Sequence, residues 1–294
     1  MIFADTDIAV GDWVGLANGS VRSVLPRRTA LVRHAAGRAT RPQTLVANVD
    51  LVLLVSALGS ELDPDWIERC LVAIGDSGAS AEIVLTKGDR IDDPQPLVDQ
   101  VGAVAPGVPV HVVSALSGAG CEQLRARIAP GVTAVLVGSS GVGKSTLVNH
   151  FARSELMATA ETQACDKGRH TTSHRQLILL PGGGVVIDTP GLRELQLWEA
   201  AGGLHETFAD VDALTGNCRF ADCTHVSGPG CAVTAAVQSG ALSPERVQRW
   251  HKLQRELRAT ATRREQLLRM KETRKRRSSA VRAAQRRGPS EPRA

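Results

Sequence analysis

The hydrophobic pattern of this chain changes character along its length. Up to about residue 44, short alternations of apolar and polar residues predict a small sheet, with "ANGS" as a hairpin turn between "IAVGDWV" and "VRSVL". From about residue 45 to 200, apolar runs such as "VDLVLLVSAL" alternate with amphipathic stretches such as "PDWIERCLVAI". Because continuous apolar runs are typical of strands buried on both faces, we expect an α/β domain with a mostly parallel sheet and ligand sites at its carboxyl edge.

The rest of the chain has a different pattern. Past about residue 200 we expect a short irregular segment and then a helix, for which Ser243 and Pro244 provide an N-cap and a first turn. Beyond about residue 278 Ser, Arg, Gly and Pro dominate, which predicts disorder. The pattern therefore predicts a strand-rich segment, an α/β domain, a helical domain and a tail, at residues 1–44, 45–200, 201–278 and 279–294.

Composition and charge narrow the function classes. The chain has 294 residues, of which 43% are hydrophobic, and no apolar run approaches the roughly twenty residues that span a bilayer. The N-terminus has no basic region before an apolar one, so it is no signal peptide, and we expect a cytoplasmic protein without membrane contact. From Ala261 onward 12 Lys/Arg face 3 Glu, a surplus of +9. This tail is either a solvated end or a contact to nucleic-acid phosphates.

A phosphate-binding loop follows the apolar run "TAVLV" and precedes a helical pattern, the context that such a loop requires. Backbone N–H groups and the positive end of the helix dipole would face the phosphates. Lys144 would reach the β- and γ-phosphate oxygens as a catalytic group, and the hydroxyl of Ser145 would bind Mg²⁺. The predicted nucleotide-binding residues of this loop are Gly138, Ser139, Ser140, Gly141, Val142, Gly143, Lys144, Ser145 and Thr146.

Further motifs for Mg²⁺ and the γ-phosphate follow. Asp188 ends the apolar run "GVVID" and would hold the water shell of the magnesium, and the N–H of Gly191 would contact the γ-phosphate. Between this motif and the phosphate loop, Thr171 or Thr172 in "GRHTTSHR" can supply a second hydroxyl ligand. Leu192 follows Gly191 where many GTPases place a Gln, so we expect slow intrinsic turnover.

Two motifs for reading a guanine base lie upstream of the phosphate loop. In "TKGD", Asp89 would accept hydrogen bonds from guanine N1–H and the 2-amino group, while the stem of Lys87 packs along the purine. In "SALSG", the N–H of Ala115, next to Ser114, would meet guanine O6. Thr86 stands where many GTPases have Asn, which forfeits an amide contact. Both motifs end apolar runs, so the sequence predicts a circularly permuted GTPase that binds GTP or GDP.

A cluster of possible metal ligands follows these motifs. Three thiols and one imidazole at short spacing suffice for a closed tetrahedral zinc site, which we expect to be structural. The predicted ligands are Cys218, Cys223, His225 and Cys231.

The motif order resembles the ribosome small-subunit-dependent GTPase A (RsgA/YjeQ) family. The resemblance rests on "VGDWV", "LPRRTALVR", "ANVD", "TKGD", "SALSG", "GSSGVGKSTLVN", "GRHTT", "DTPG" and the Cys/His cluster. It implies an N-terminal OB-fold, of which only about three strands are visible before Arg41. It also implies an enzyme, expected as a monomer, that binds the 30S subunit and its rRNA late in maturation, with GTP hydrolysis stimulated by that subunit.

Three alternatives stay open at this point. A permuted GTPase of the large subunit is disfavoured by the Cys/His cluster and the strand-rich start. An RNA-binding structural factor would use the nucleotide only for stability. A P-loop ATPase is disfavoured by Asp89.

Overall fold

The structure is a computed structural model that describes residues 8–34, 42–59, 62–156, 176–188 and 200–286. The strands among these residues are β1 (Val14–Ala17), β2 (Ser20–Val24), β3 (Ala30–His34), β4 (Pro42–Ala47), β5 (Leu51–Ala57), β6 (Ser80–Thr86), β7 (Val110–Val112), β8 (Thr133–Val137), β9 (Gln176–Leu179) and β10 (Val185–Asp188). The helices are α1 (Pro64–Gly75), α2 (Gln95–Val104), α3 (Cys121–Ala126), α4 (Lys144–Ala152), α5 (Ala201–Thr207), α6 (Ala209–Thr215), α7 (Ala232–Gln238) and α8 (Pro244–Arg286).

A six-stranded sheet forms the centre of the α/β domain, with the strand order β7-β6-β5-β8-β10-β9. Every neighbouring pair is parallel except β10 with β9, which are antiparallel. All seven residues of β5 are buried, as the uninterrupted apolar run predicted. The edge strand β9 was not predicted, because the short sequence "QLIL" has exposed and buried positions that do not alternate regularly.

The two faces of the sheet pack into separate apolar clusters. One contains the inward side chains of α1 and α2, including Ile67 and Val101, and the other contains those of α3 and α4, including Leu124 and Leu147. Helix α3 leads into β8 through residues 127–132, and the guanidinium of Arg125 donates to the carbonyl oxygens of Pro181 and Gly183 in the β9–β10 turn. The sheet is therefore covered on both sides.

The first strands form two antiparallel pairs, β1 with β2 and β3 with β4, which are separate two-stranded sheets among the described residues. The predicted turn is present: Asn18 and Gly19 both have positive φ, 52° and 72°, as a tight hairpin of this handedness requires. Strand β4 continues to Ala47, past the expected segment end at residue 44. Leu31 of β3 and Leu45 and Val46 of β4 belong to the same apolar cluster as the sheet, so this pair of strands is packed onto the α/β domain.

The segment after residue 200 is more regular than its sequence indicated. The expectation of an irregular stretch was wrong for α5, α6 and α7, which are short helices with weak sequence patterns. Helix α8 extends to Arg286, although disorder was expected from residue 279; "VRAAQR" contains good helix formers, and Gly288 and Pro289 are the first strong breakers beyond it. Among the described residues, no helix is both long and apolar enough to cross a membrane.

Candidate nucleotide site and metal centre

The predicted nucleotide-binding motifs meet at one edge of the sheet. Strands β6, β7, β8 and β10 run in the same direction, so their carboxyl ends lie on the same side. Thr86 ends β6, Gly138 follows β8 and Asp188 ends β10. The permuted chain thus brings motifs from distant parts of the sequence to the edge where open α/β sheets bind ligands.

The phosphate loop has the backbone that its glycines predict. Gly141 and Gly143 have φ of 83° and 98°, a region that side chains with a Cβ disfavour. A Cβ at Gly138 would lie 2.2 Å from the carbonyl oxygen of Val55 in the neighbouring strand, so the loop passes against β5 without space for a larger residue. Helix α4 begins at Lys144, directly after Gly143 of the loop. The first N–H groups of a helix have no partner within the helix, so this helix start is suited to an anion bound at the loop.

Two charged side chains lie close together beside this loop. The ammonium of Lys144 donates to the carbonyl oxygens of Gly138 and Ser139, at 2.7 and 2.6 Å. Burial raises the pKa of Asp188, and the positive charge of Lys144 opposes that rise. The hydroxyl-bearing Ser145 is half-buried in the first turn of α4, whereas Thr146 is exposed. A cation, a carboxylate and a hydroxyl therefore lie at or beside the phosphate loop, and these are groups of the kind that phosphate and Mg²⁺ require.

The two loops predicted to read the base are hydrogen-bonded to each other. The hydroxyl of Ser114 donates to Asp89 Oδ1 at 2.5 Å and accepts from the N–H of Ser117 at 3.2 Å. The hydrogen bond from Ser114 lowers the pKa of Asp89, which keeps this carboxylate ionised and able to accept from a base. Lys87 has a φ of 60°, and Ala115 is half-buried beside the exposed Leu116.

Thr86 joins the base-reading loop to the phosphate loop. Its hydroxyl donates to the carbonyl oxygen of Val142 at 2.5 Å and lies 3.2 Å from that of Ser56. A Cβ on Gly143 would be in van der Waals contact with the Thr86 side chain at 3.8 Å. The sequence indicated only a lost amide contact at this position. The structure adds a direct tie between the two loops, which no local pattern could reveal because the hydroxyl and its acceptor are 56 positions apart.

Some predicted site residues lie outside the described part of the chain. They are Thr171, Thr172, Gly191 and Leu192. Their roles stay predictions.

The four predicted metal ligands lie together. The donor atoms of Cys218, Cys223, His225 and Cys231 are all within 4.8 Å of one another. Sγ of Cys218 is 3.4 Å from His225 Nδ1 and 4.0 Å from Sγ of Cys231. Zinc bonds to sulfur of about 2.3 Å and to nitrogen of about 2.0 Å separate tetrahedral ligands by similar distances. The residues present therefore fit one four-coordinate zinc ion with Nδ1 as the nitrogen ligand.

Cys231 has a further role at the start of α7. Its sulfur accepts the N–H of Thr234 at 3.4 Å, so it caps the helix. Burial opposes ionisation of this thiol, yet the hydrogen bonds from Thr234 and His225 lower its pKa to about 6. A thiolate is the form that binds a metal, so the helix start favours ligation.

A buried ionic network attaches the Cys/His module, residues 200–257, to the α/β domain. Arg246 of α8 donates to Glu68 of α1 at 2.7 Å and, through two nitrogens, to Asp210 of α6 at 2.8 and 2.9 Å. It also donates to the carbonyl oxygens of Val104 and Thr207. The Glu68 side chain is fully buried and that of Arg246 is 5% exposed. The guanidinium is thus satisfied on several sides, as a buried charge requires.

Glu68 is held by two cations, since Arg249 donates to its second oxygen at 2.5 Å. Burial raises the pKa of Glu68, and both guanidiniums oppose this effect. Burial is also the largest single influence on Asp210 and acts to raise its pKa, but the hydrogen bond and the positive charge of Arg246, together with backbone N–H groups, outweigh it and lower the pKa of that carboxyl. Sequence reasoning missed this network, because the residues of the Glu68–Arg246 pair are 178 positions apart.

Glycines allow the backbones of α1 and α5 to approach closely. A Cβ on Gly203 would lie 2.0 Å from the carbonyl oxygen of Val72, and one on Gly75 would lie 2.6 Å from the Cα of Gly203. The N–H of Gly203 donates to Asp76 Oδ1 at 3.0 Å. Val72 is also part of the apolar cluster of the Cys/His module. The module is therefore packed directly against α1.

Comparison with known proteins identifies the family. The sequence model of the family described as "RsgA GTPase" matches residues 24–198. The chain is 47% identical over 257 residues to the small ribosomal subunit biogenesis GTPase RsgA of Streptomyces coelicolor, covering 85% of this chain and 70% of that protein. It is 46% identical over 255 residues to the protein of the same name from Methanosarcina acetivorans, covering 84% and 69%.

Two solved structures are similar over most of the chain. The crystal structure of YjeQ from Thermotoga maritima has a TM-score of 0.62 at 30% identity and covers 86% of each chain. YloQ, described as a circularly permuted GTPase, has a TM-score of 0.58 at 26% identity, with 88% of this chain and 84% of that chain covered. The predicted permuted GTPase fold and the predicted class of enzyme are confirmed. This chain belongs to the RsgA GTPase family.

Proposed function

We propose that this GTPase binds GTP with Mg²⁺ at the carboxyl edge of its sheet and acts in the maturation of the small ribosomal subunit. The observation that carries the nucleotide site is the contact between Thr86 and Val142, because it fixes the base-reading loop beside the phosphate loop. One nucleotide can then contact both loops. The relatives that carry the ribosomal name match along most of this chain, which supports the same partner here.

Base selection is assigned to the two loops that Ser114 connects. Asp89, held ionised by that hydroxyl, accepts from guanine N1–H and the 2-amino group, which adenine does not offer in this arrangement. The N–H of Ala115 donates to guanine O6, and the stem of Lys87 packs along the purine. This arrangement favours GTP and GDP over adenine nucleotides.

The phosphate loop and its neighbours are assigned to the reaction itself. Lys144 moves its ammonium from the carbonyl oxygens of Gly138 and Ser139 to the β- and γ-phosphates, where it stabilises the charge of the transferring phosphoryl group. Bound Mg²⁺ supplies further charge neutralisation at these oxygens. Ser145, Asp188 and Thr171 or Thr172 would hold that ion or its water shell, and the N–H of Gly191 contacts the γ-phosphate.

The orientation of the attacking water is a separate matter. Leu192 cannot accept a proton or orient a water molecule, so intrinsic turnover is slow and the small subunit supplies or repositions a polar group.

The Cys/His cluster holds one structural zinc ion. We also propose that the protein is a cytoplasmic monomer that contacts rRNA.

The decisive experiment measures GTP hydrolysis with purified 30S, 50S and 70S particles added separately. We expect strong stimulation by 30S particles and little by 50S particles. Asp89→Asn with GTP serves as the control that links stimulation to this site. Equal turnover in the presence and absence of 30S particles would contradict the proposal.

A second candidate is an RNA-binding factor in which the nucleotide only stabilises the fold. The buried attachment of the Cys/His module to α1 favours it in part, since a rigid junction suits a scaffold. Single-turnover measurements with 30S particles separate the two. Hydrolysis of bound GTP faster than dissociation of the protein supports the enzyme, and the reverse order supports the scaffold.

A further inference from the structure

The hydroxyl of Thr86 has no proton left for a ligand. The residue is only 3% exposed, and its hydroxyl donates to the carbonyl oxygen of Val142 at 2.5 Å and lies 3.2 Å from that of Ser56. A hydroxyl carries one proton, and a carbonyl oxygen can only accept. The single proton of Thr86 is therefore used by the backbone of the protein.

This position matters because of the groups that guanine presents. The base has donors at N1 and at the 2-amino group, and it has acceptors at O6 and N7. N7 lies between O6 and the ring atom that carries the sugar. Asp89 is assigned to the donors and the N–H of Ala115 to O6, so a group that reads N7 has to lie between these loops and the phosphate loop. Thr86 lies there, since a Cβ on Gly143 of the phosphate loop would be 3.8 Å from its side chain.

Backbone donors in the two loops assigned to the base are also in use. The N–H of Gly88 donates to the carbonyl oxygen of Val113 at 3.1 Å, and that of Ser114 donates to the carbonyl oxygen of Ala119 at 2.9 Å. The N–H of Ser117 donates to the hydroxyl of Ser114 at 3.2 Å. None of these three N–H groups can serve N7 without breaking a hydrogen bond that shapes its loop.

We propose that the protein does not recognise N7 of guanine, and that Thr86 is the residue that determines this specificity. The site then accepts guanine nucleotides with or without a hydrogen-bond acceptor at ring position 7. This inference rests on the proposed function, which places the base between Asp89 and Ala115. Asparagine, which many GTPases have at this position, carries two N–H donors on its amide, so it can bond a backbone carbonyl with one and N7 with the other. Threonine retains the first contact and lacks the second.

The test compares the binding of GDP and 7-deaza-GDP to the full chain. In 7-deaza-GDP a C–H group replaces N7, while the 2-amino group, N1–H and O6 are unchanged. We expect the two dissociation constants to agree within about twofold, because no hydrogen bond is lost. Binding of 7-deaza-GDP that is weaker by more than about twofold overturns the proposal.

Two substitutions of Thr86 test whether this residue is responsible. Thr86→Asn introduces a second donor, so this variant should bind GDP about two- to tenfold more tightly than 7-deaza-GDP. Thr86→Ser is the matched control, because it keeps a hydroxyl with a single proton and should bind both nucleotides alike. If folded Thr86→Asn protein also bound both alike, the residue would not face N7 and the assignment would be wrong. The unchanged chain decides the proposal even if Thr86→Asn does not fold.

Inosine diphosphate separates a failure of this inference from a failure of the proposed function. It lacks the 2-amino group, so Asp89 accepts one hydrogen bond fewer and binding should be weaker than that of GDP. Equal binding of GDP and inosine diphosphate would mean that the base is not held at Asp89, and the proposed function and this inference would both fail. A preference for GDP over inosine diphosphate, together with weaker binding of 7-deaza-GDP, would overturn this inference alone.

Discussion

The α/β domain and the Cys/His module are stabilised in different ways. In the domain, two apolar clusters cover both faces of the sheet, and the side chains of the nucleotide site project from its edge. The module has one smaller cluster, to which Cys231 contributes, and its attachment to the domain includes a buried ionic network. The comparison teaches that one part owes its order to burial along strands, whereas the other combines a smaller apolar cluster with paired charges and four residues that can hold a metal. Each part should therefore respond to a different perturbation.

Removing the metal should have the largest effect, and this effect should be confined to the Cys/His module. Structural zinc in small domains contributes on the order of 10–16 kcal/mol of apparent binding free energy at neutral pH. We expect Cys218→Ser to lose the zinc and to expose the amides of α7 to hydrogen exchange, while GDP affinity persists. Metal analysis, hydrogen exchange and GDP titration measure these quantities.

The control for that variant is Cys70→Ala, which alters a buried cysteine outside the cluster and should retain zinc. If α7 kept its protection in metal-free Cys218→Ser protein, packing rather than ligation would hold the module.

Arg246→Ala should produce the next largest change. Breaking a buried ion pair by removing one partner costs about 3–5 kcal/mol, and here Glu68 keeps only Arg249 while Asp210 loses Arg246. Chemical denaturation should show this loss of unfolding free energy. Lys252→Ala is the matched control on the same helix, since its partner Asp65 and Lys252 itself are about half exposed, and it should cost less than about 1 kcal/mol.

A double variant sharpens this result. With Glu68→Gln added, the cost of Arg246→Ala should shrink, because position 68 then carries no buried charge, while Asp210 loses Arg246 in both backgrounds. Additive costs would mean that the two side chains do not act as a pair, and the polar account of the junction would be wrong.

Asp89→Asn should weaken GDP binding without affecting the module. Hydrogen bonds to a charged group contribute about 1.5–3 kcal/mol, so affinity should fall by about 10- to 150-fold. Isothermal titration measures it. Xanthine has a carbonyl where guanine has an amine, and the Asn amide can donate to it, so xanthosine diphosphate should bind the variant better than GDP. The opposite order would contradict the assignment of the base to Asp89.

Thr86→Val should have the smallest effect, a loss of about 1 kcal/mol in the unfolding free energy of the α/β domain. Valine has nearly the same side-chain shape as threonine, but the carbonyl oxygen of Val142 loses the hydrogen bond that the Thr86 hydroxyl donates to it. Thr86→Ser retains the donor and should be nearly neutral. Denaturation curves for the two variants that coincide would show that the contact adds no stability.

Sequence predicted the domain better than the module for physical reasons. The strand β5 and the helix α1 have periodic apolar patterns that depend only on nearby residues, and the motifs at Asp89 and Gly138 follow such strands. The short helices α5 to α7 have no strong periodic apolar pattern in their sequences. They are held by contacts with other parts of the chain, such as those between α5 and α1, which the local sequence does not reveal. Hydrogen bonds such as that from Thr86 to Val142 join positions far apart in the chain, so no local sequence pattern predicts them.

The connection between α3 and β8 has a consequence for how this order of motifs can arise. It is a short surface turn at which Ala129, Pro130 and Gly131 are all exposed. The motifs assigned to the base precede it, and the motifs assigned to the phosphates follow it. Suppose that the gene began at this turn and that the present ends of the domain were joined to each other. Strand β8, which leads into the phosphate loop, would then come first in the chain, and every strand would keep its neighbours in the sheet. The order of the motifs along the chain can thus change while the sheet stays the same, and this turn is the point at which the two orders differ.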